Sequence, residues 1–588
     1  IRKSIIFEHL KEFDLALEVI EEFCLDKNHA KFALLKKANL FFKLARYSDA
    51  LKIFNDLILA NPESIDSLIG RANCLMKMGE KNSAQEAYEL ITIKDPNFVF
   101  AWLGLGNVYL DLRQFDNAFH CFNKAYILEP DLPSVEGARL HSLMNKCDWA
   151  TFFLDLEHLL RSLDDKKPVI SPLWLMYMVD DPTRHRLCAE TWMEMRGLSI
   201  SATTFSNKAS YSKRIRIAYL SSDFNNHATS NLIVNFLENH NRQLFFVVGF
   251  STGIDDGSTM RKRIVDAFDT FFDCCLLSDE EIAKIIREQE IDILVDLNGL
   301  TEGARTNILT FRPADIQVNF LGYPGTMGLS CVDYIIGDRV VFEGDCEQFY
   351  QEKLVLLPNT YQPNDRLRQI RISDKTRSFF GLPEGAFIFC CFNNPCKITP
   401  YVFDDWMQIL GQVKDSVLWL LVDDKVARQN LVQNAQVRGI DPSRLVFADR
   451  MHLPDHLDRH RFADLFLDTF PYNAHTTGSD ALWAGLPVLT RKGSSFASRV
   501  AASLLESVGL PELITTSSQQ YVCLAVELAQ NANLLTTIRN RLTSNRLSEP
   551  LFNPLMFARD IERAFLIMLR TARKGLPPAS INLSNVDL

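Results

Sequence analysis

A predicted strand, a polar loop and a short helix follow one another in the stretch Asp468-Thr-Phe-Pro-Tyr-Asn-Ala-His475-Thr-Thr-Gly-Ser-Asp480-Ala-Leu-Trp-Ala-Gly485-Leu-Pro487. The apolar run 463–468 predicts a buried strand, and Gly485 predicts the end of the helix. Thr476 and Thr477 are residue types that begin helices. Because a helix that starts at the carboxyl end of a parallel strand presents free N–H groups, this loop is a candidate anion site. The alternative is a capping box, Thr477-x-x-Asp480, that only starts the helix.

Segments of the same kind surround this stretch from residue 213 onward. Apolar runs alternate with amphipathic runs, which predicts an α/β architecture with two parallel sheets covered by helices on both faces. The predicted strands are 214–221, 245–250, 292–297, 316–321, 334–336 and 353–357 in the first half, and 387–392, 416–422, 444–447, 465–470 and 487–490 in the second. We therefore predict two doubly wound domains, 213–365 and 366–588, with a ligand between their strand ends. The polar segment 359–377 is the predicted link, and 551–569 a closing helix.

The region from residue 1 to 135 carries a repeat with a period of about 34 residues. The recurring positions are Pro62, Pro96 and Pro130; Ala16, Ala50, Ala84 and Ala118; Phe54, Tyr88 and Phe122; and Ala38, Ala72 and Gly106. Together with Trp102-x-x-Leu105-Gly106-x-x-Tyr109, this is the tetratricopeptide pattern, in three full repeats after a degenerate one. It predicts a helical superhelix whose concave face binds an extended peptide, with a scaffold or a homodimer surface as the alternative.

Residues 136–212 are predicted to form a helical connector. Cys147-Asp-Trp149 and the amphipathic run 151–163 are expected to pack on the last repeat, and residues 167–172 to break that run.

The composition excludes several classes of protein. The chain has 588 residues, 47% of them hydrophobic, which predicts a globular protein of several domains. A net charge of −10 argues against a general nucleic-acid or anionic membrane surface. Thirteen cysteines without metal-ligand spacing indicate reduced core residues in a cytoplasmic protein, and no segment has the length of a membrane span.

The common phosphate-binding motifs do not occur in this sequence. We find no G-x-G-x-x-G fingerprint, no P-loop and no D-x-D pair for a metal–diphosphate complex. An anion bound by this chain must therefore be neutralised by side chains and helix ends, with no metal and no cofactor.

Two single residues at predicted strand ends are candidates for catalysis. His227, in the loop after the first strand, can take a proton from an attacking hydroxyl, although a loop histidine bonded to the backbone is the plainer interpretation. Lys397 follows the strand 387–392 and can stabilise a leaving diphosphate as a point charge. A solvated loop lysine is the alternative.

Two further loops are candidates for binding. The glycines of 298–305 and 322–328 allow either close approach of the backbone to a ligand or simple tight turns. The segment 452–460 supplies an imidazole from His456 and a guanidinium from Arg459, which can stack on or hydrogen-bond a flat base. Its three histidines lack the accompanying ligands and spacing of a zinc site.

Taken together, these motifs resemble the O-linked N-acetylglucosamine transferase and Spindly family, glycosyltransferase family 41. The resemblance rests on the repeats, the Cys147-Asp-Trp149 connector, both halves and Ala497-Ser-Arg499-Val-Ala-Ala-Ser503. The short connection between the halves is similar to that of bacterial members. The resemblance implies a GT-B fold, that is, two Rossmann-like doubly wound domains after the tetratricopeptide superhelix.

The resemblance also implies roles for individual residues. His227 matches the family histidine assigned as general base, and Lys397 matches the lysine on the donor diphosphate. The nucleotide-sugar contacts it implies are Asn394; Met451, His452 and Leu453 along the base edge; His456 and Arg459 on the uridine; His475, Thr476 and Thr477 on the phosphates; Asp480 on the ribose; and Gly322, Tyr323 and Pro324 near the sugar.

The expected function follows from the activity of this family. The resemblance implies inverting transfer of N-acetylglucosamine from UDP-GlcNAc to Ser or Thr of an acceptor protein, without a metal. Asn393-Asn394-x-x-Lys397 resembles the Spindly version, and Leu453 stands where the animal enzyme has a lysine, whereas His475-Thr-Thr-Gly-Ser-Asp480 resembles the UDP-type enzymes. The alternatives are a GDP-fucose-dependent O-fucosyltransferase, an asparagine glucosyltransferase and a catalytically silent adaptor.

Overall fold

The computed structural model describes residues 13–24, 30–198 and 214–585. The chain divides into two compact units, Ile1–Leu143 with Leu276–Ile282, and Met144–Cys275 with Ala283–Leu588. The start of the predicted repeat region, residues 1–12, and the end of the predicted connector, residues 199–212, lie outside the described residues.

Consecutive antiparallel helices form the repeat region. They are α1 (Phe13–Cys24), α2 (Ala30–Lys43), α3 (Tyr47–Ala60), α4 (Ile65–Lys77), α5 (Lys81–Lys94), α6 (Val99–Asp111) and α7 (Phe115–Leu128). The recurring alanines are fully buried, because they lie where two helices approach closely. At Gly106, a Cβ atom would come within 2.7 Å of the Phe122 ring, so this position requires a small residue. The predicted helical repeats are confirmed.

The connector contains α8 (Val135–Asn145), α9 (Phe152–Asp164), α10 (Pro172–Met176) and α11 (Pro182–Met195). The Trp149 ring packs against Phe403, with 5.3 Å between ring centroids. Phe152 likewise contacts Tyr401. The apolar face of this segment is therefore covered by the second half of the chain, a partner that the pattern alone did not identify.

The first sheet of the second unit is parallel and eight-stranded, in the order β14-β7-β6-β5-β4-β1-β2-β3. Its strands are β1 (Ile215–Ser221), β2 (Phe245–Ser251), β3 (Thr270–Asp273), β4 (Ile293–Asp296), β5 (Ile316–Asn319), β6 (Tyr334–Asp338), β7 (Lys353–Leu357) and β14 (Ile581–Asn582). The helices between them are α12 (Ala228–Glu238), α13 (Thr259–Asp266), α14 (Asp279–Glu288) and α15 (Asn307–Thr310). We call this part the first lobe.

The second sheet is parallel and six-stranded, in the order β10-β9-β8-β11-β12-β13. Its strands are β8 (Phe387–Cys391), β9 (Ser416–Leu421), β10 (Leu445–Ala448), β11 (Leu465–Leu467), β12 (Val488–Arg491) and β13 (Ile514–Thr515). Its helices are α16 (Pro400–Gln412), α17 (Lys425–Val437), α18 (Leu453–Arg459), α19 (Thr476–Trp483), α20 (Val500–Ser507), α21 (Ser518–Gln530) and α22 (Ala532–Ser548). We call this part the second lobe. The predicted α/β class with two doubly wound sheets is confirmed.

The closing helix, α23 (Pro554–Arg573), differs from the predicted assignment to residues 366–588. It covers the first lobe, where Phe557 packs on Phe236 at 5.2 Å between centroids and Glu562 accepts from His240 Nδ1 at 2.8 Å. The strand β14 then pairs with β7. An amphipathic pattern identifies a buried face but not the sheet that the face covers, which explains the difference.

The link between the lobes is buried, although it is polar. Thr360, Gln362, Asn364 and Asp365 are each at most 5% exposed. Asp365 forms an ion pair with Arg263 of α13, which offsets part of the cost of burying a carboxylate.

Cysteine burial agrees in large part with the interpretation as core residues. Of the cysteines whose side chains the structure describes, none forms a disulfide and most are buried, but Cys275 is half-buried and Cys523 is exposed. No helix in the described ranges is both long and apolar enough to cross a membrane.

Candidate active site

Lys397 lies in a short turn, Pro395–Lys397, between β8 and α16. Its ammonium donates to the carbonyl of Asn473 at 3.2 Å and lies 4.2 Å from the centroid of the Tyr472 ring. Burial lowers the pKa of Lys397 to about 8, although the negative charge of nearby Asp468 opposes that shift. The group is therefore a cation at neutral pH that is held in one position by protein atoms.

Asp468, the residue after β11, organises the loop that faces Lys397. Its carboxylate accepts from the backbone N–H groups of Thr469 at 2.7 Å and Ala474 at 2.6 Å, and from the Thr490 hydroxyl at 2.7 Å. Burial raises the pKa of Asp468 to about 6. These bonds hold both ends of the turn 469–474, so the carbonyl that Lys397 contacts is fixed.

His475 is the N-cap residue of α19, and its ring stacks on Tyr472 at 4.4 Å between centroids. Burial and the charge of Lys397 hold the pKa of His475 well below its ordinary value, so the imidazole is neutral. Tyr472 also contacts Tyr177 of the connector edge to face, with 4.9 Å between ring centroids. Lys397, Tyr472 and His475 therefore form a layered group at the beginning of α19.

The predicted capping box at Thr477 does not form. The Thr477 hydroxyl donates to Asn393 Oδ1, whose amide nitrogen in turn donates to Thr469 Oγ1 at 2.7 Å. Among the described residues, the backbone N–H groups of 476–478 make no hydrogen bond. The helix start therefore presents free N–H groups beside the Lys397 ammonium, an arrangement suited to an anion.

Asp480 of α19 forms an ion pair with Arg368 of the inter-lobe link. Both side chains are buried. Burial raises the pKa of Asp480 to about 6, and Arg368 opposes that shift. Sequence reasoning did not identify Arg368, because a polar link with many charges offers no signal for one particular arginine.

Some of the residues predicted to contact a flat base lie at the surface, and others lie in the core. Met451, His452, Leu453 and Asn394 keep exposed surface, and Arg450 donates to Asn394 Oδ1 at 3.1 Å. His456 keeps partial exposure beside the Phe392 ring, and burial with neighbouring positive charges holds its pKa well below the ordinary value.

The Arg459 side chain is fully buried. The guanidinium lies 4.3 Å from the Phe392 ring centroid and donates to the carbonyl of Asp449 at 2.8 Å. Within the described residues, Arg459 Nε and Nη2 have no hydrogen-bond partner, so the uridine contact of this residue stays a prediction. The helical spacing of His456 and Arg459 placed both on one turn but did not reveal which of them points into the core.

In the first lobe, His227 is the N-cap residue of α12 and is exposed. Its Nδ1 accepts from the backbone N–H of Thr229 at 3.3 Å and lies 3.5 Å from Asp223 Oδ2. Asn298 fixes this loop by donating to Asp223 Oδ2 at 2.9 Å and accepting from the backbone N–H of Ser222 at 2.7 Å. Beside it, burial raises the pKa of Asp296 to about 7.

The loop with Gly322, Tyr323 and Pro324 packs closely on the end of β4. A Cβ atom at position 322 would lie 2.1 Å from the carbonyl oxygen of Leu297, so only glycine fits there. Tyr323 and Pro324 are buried, so the loop presents mainly backbone. Below it, Glu352 accepts from the Thr326 hydroxyl at 2.6 Å.

The structure thus brings Lys397, His475, Thr476 and Thr477 into one group, with Asp480 further along the same helix. It joins to this group Asn393, Asp468 and Tyr472, which the sequence did not single out. Of these three residues, Asp468 could have been identified from the sequence, because it is a carboxylate that directly follows a buried apolar run. Within the described residues, no three His, Cys, Asp or Glu side chains converge as metal ligands.

Comparisons with known proteins agree with this architecture. Two tetratricopeptide family models match residues 41–107 and 99–132. The structure is similar to that of a mutant O-GlcNAc transferase from Thermobaculum terrenum, with a TM-score of 0.70 over 93% of this chain and 99% of that one; at 24% identity, this likeness concerns the fold.

Three relatives carry names of peptide N-acetylglucosaminyltransferases. The chain is 37% identical over 382 residues, 64% of its length, to the probable enzyme SEC of Arabidopsis thaliana. It is 27% identical over 559 residues, 73% of its length, to the enzyme of Caenorhabditis elegans, and 32% identical over 397 residues, 66% of its length, to the probable enzyme SPINDLY of Oryza sativa. The chain spans less than half of these relatives, namely 39, 48 and 42% of their lengths.

A family model described as glycosyl transferase family 41 matches residues 183–371 and 364–561, which is more than half of the chain. The resemblance drawn from the motifs is thereby confirmed, and the chain belongs to glycosyl transferase family 41.

Proposed function

We propose that this chain transfers N-acetylglucosamine from UDP-GlcNAc to Ser or Thr hydroxyls of acceptor proteins, with inversion at the anomeric carbon and without a metal. The observation that carries the proposal is the Lys397 ammonium beside the free N–H groups at the start of α19. A diphosphate is the part of a nucleotide sugar that such a pair of positive ends suits.

In the proposed reaction, the acceptor hydroxyl attacks the anomeric carbon from the face opposite UDP. A new carbon–oxygen bond forms while the bond to the diphosphate breaks, and UDP leaves with the electron pair. Lys397 and the helix start stabilise the negative charge that develops on the leaving oxygens. Because both are already held in place, little reorganisation accompanies the step.

The acceptor proton leaves through His227, a bound water or the donor phosphate. With Nδ1 accepting from Thr229, a neutral His227 carries its proton on Nε2 and has no free lone pair in the ring. The geometry therefore favours one of the other two routes unless the Thr229 contact opens.

The names of the relatives support UDP-GlcNAc as the donor, and the repeats support a protein as the acceptor. We propose that the acceptor segment binds in the concave face of the repeats. We also propose the cytoplasm as the compartment, because the cysteines of the described chain form no disulfide.

The proposal is tested by calorimetry of UDP, UDP-GlcNAc and GDP-fucose on the intact chain in EDTA. Micromolar UDP binding, on the order of −8 kcal/mol, is expected. Preference for GDP-fucose would indicate the fucosyl alternative, and absence of nucleotide binding would indicate an adaptor. Mapping the modified side chain after incubation with acceptor protein separates Ser or Thr from Asn.

A further inference from the structure

A buried ion pair that the proposed mechanism does not use connects the inter-lobe link to α19. Arg368 Nη1 donates to Asp480 Oδ1, and Arg368 Nε donates to the carbonyl of Asp365 at 2.9 Å. Arg368 is 7% exposed and Asp480 is 5% exposed. A buried carboxylate that is paired with a single arginine is well fixed, and removing the arginine leaves an uncompensated charge.

The surroundings hold Arg368 itself in position. The indole of Trp483, at the end of α19, donates to the carbonyl of Arg368 at 3.2 Å. Asp365, which accepts from Arg368 through its carbonyl, uses its carboxylate to pair with Arg263 Nη1 at 2.6 Å. The second lobe therefore holds the Arg368 backbone, and the first lobe holds Asp365, whose carbonyl accepts from Arg368 Nε.

One oxygen of Asp480 remains for a ligand. Within the described residues, Oδ1 accepts from Arg368, and Oδ2 accepts no hydrogen bond. A carboxylate oxygen accepts more than one hydrogen bond, so Oδ2 can take the neighbouring hydroxyls of a ribose.

We propose that Arg368 is a positioning residue for the nucleotide: it keeps Asp480 ionised and oriented so that Oδ2 accepts the ribose hydroxyls. This rests on the proposed function, which assigns the ribose to Asp480. Arg368 itself does not contact the ligand.

The charge balance at Asp480 supports this role. Burial raises the pKa of Asp480 to about 6, and Arg368 is the one charged group that shifts it downward. The helices and the strand packed against α19 also carry titratable groups: Asp455, His456, Asp458 and Arg459 of α18, Glu506 of α20, Arg491 of β12, and Arg539, Arg541 and Arg546 of α22. Without Arg368 the pKa of Asp480 rises further, so the carboxylate ionises only at higher pH.

The test is calorimetry of UDP and of 2′,3′-dideoxy-UDP, which lacks both ribose hydroxyls, from pH 5.5 to pH 9. The wild type is expected to prefer UDP, with the preference falling below about pH 6. In Arg368→Gln, the midpoint should move up by about one pH unit or more, and the preference at pH 7 should fall about tenfold. Asp480→Asn should lose the preference at every pH.

Arg368→Lys keeps the charge but not the fork of donors. We expect its pH midpoint to stay near that of the wild type while the preference for UDP falls about threefold. If Arg368→Gln does not fold, Arg368→Lys tests the inference alone. An undiminished preference of Arg368→Lys for UDP over 2′,3′-dideoxy-UDP then overturns the inference.

The two proposals fail in different ways. If the wild type binds neither ligand, the proposed function fails. If the wild type prefers UDP, but both Arg368 variants keep that preference and its pH midpoint, Arg368 is a structural residue only and the inference alone is wrong.

Discussion

The two strand-end loops that carry the predicted chemistry differ in how firmly their side chains are held. In the second lobe, Lys397 contacts a fixed carbonyl and an aromatic ring, and burial lowers its pKa to about 8. In the first lobe, the His227 side chain is 49% exposed and has only the Thr229 N–H at 3.3 Å and Asp223 at 3.5 Å as described polar neighbours. A charge that is fixed in advance stabilises a transition state more than a mobile one, so we expect catalysis to depend mainly on the second lobe.

The largest expected effect is that of Lys397→Ala. Turnover should fall by about 100-fold or more, because the leaving diphosphate loses its cation. Steady-state kinetics measure the loss, and circular dichroism checks the fold. The matched control is Lys414→Ala, which removes an exposed lysine of the same lobe. This variant should keep wild-type turnover. Equal turnover in both variants would remove the basis of the comparison.

Asn393→Ala should have the next largest effect. The variant loses the bonds to Thr469 and Thr477 that hold the start of α19, so affinity for UDP should fall about tenfold by calorimetry. The variant Asn394→Ala, which changes the exposed neighbour, should lose less affinity for UDP. The opposite order would mean that exposure, and not fixation, governs binding in this lobe.

Raising the pH should weaken UDP binding through Lys397. Because its pKa is lowered to about 8, the ammonium is charged at pH 7 and mostly neutral at pH 9, and affinity should fall about fivefold over that interval. In Lys397→Arg the side chain stays charged, so its affinity should change little. A wild-type affinity that is independent of pH would contradict the lowered pKa.

The smallest effect is expected for His227→Asn. Asparagine is a favourable N-cap residue, so the melting temperature should stay unchanged, and turnover should fall by less than about threefold. A loss of 100-fold or more at an unchanged melting temperature would identify His227 as the base and make the first lobe an equal partner in catalysis.

The sequence predicted the long elements well and the short edges poorly. Strand β7 has its predicted bounds, because a buried apolar run bounded by Lys353 and Pro358 leaves little choice. Strand β3 was missed because it is partly exposed, and β13 and β14 because two residues carry no periodicity.

In the candidate site too, local sequence signals predicted some features, while contacts between distant parts of the chain were not predicted. Lys397 and the start of α19 follow from strand ends and helix starts, which are local signals. The choice of Asn393 over Asn394, the burial of Arg459 and the pairing of Arg368 with Asp480 depend on contacts far apart in the chain. No local pattern encodes such contacts, so the sequence alone could not supply them.

The return of α23 and β14 to the first sheet has a consequence for how the protein is made. The first lobe lacks a strand and a covering helix until residues 554–582 have left the ribosome, and by then the whole second lobe has emerged. Pairings this distant in sequence form slowly, because a long loop must close before they contribute. The first lobe therefore cannot complete its fold until the second lobe has been synthesised. If translation stalls before residues 554–582, the unpaired edge of β7 stays exposed to other proteins.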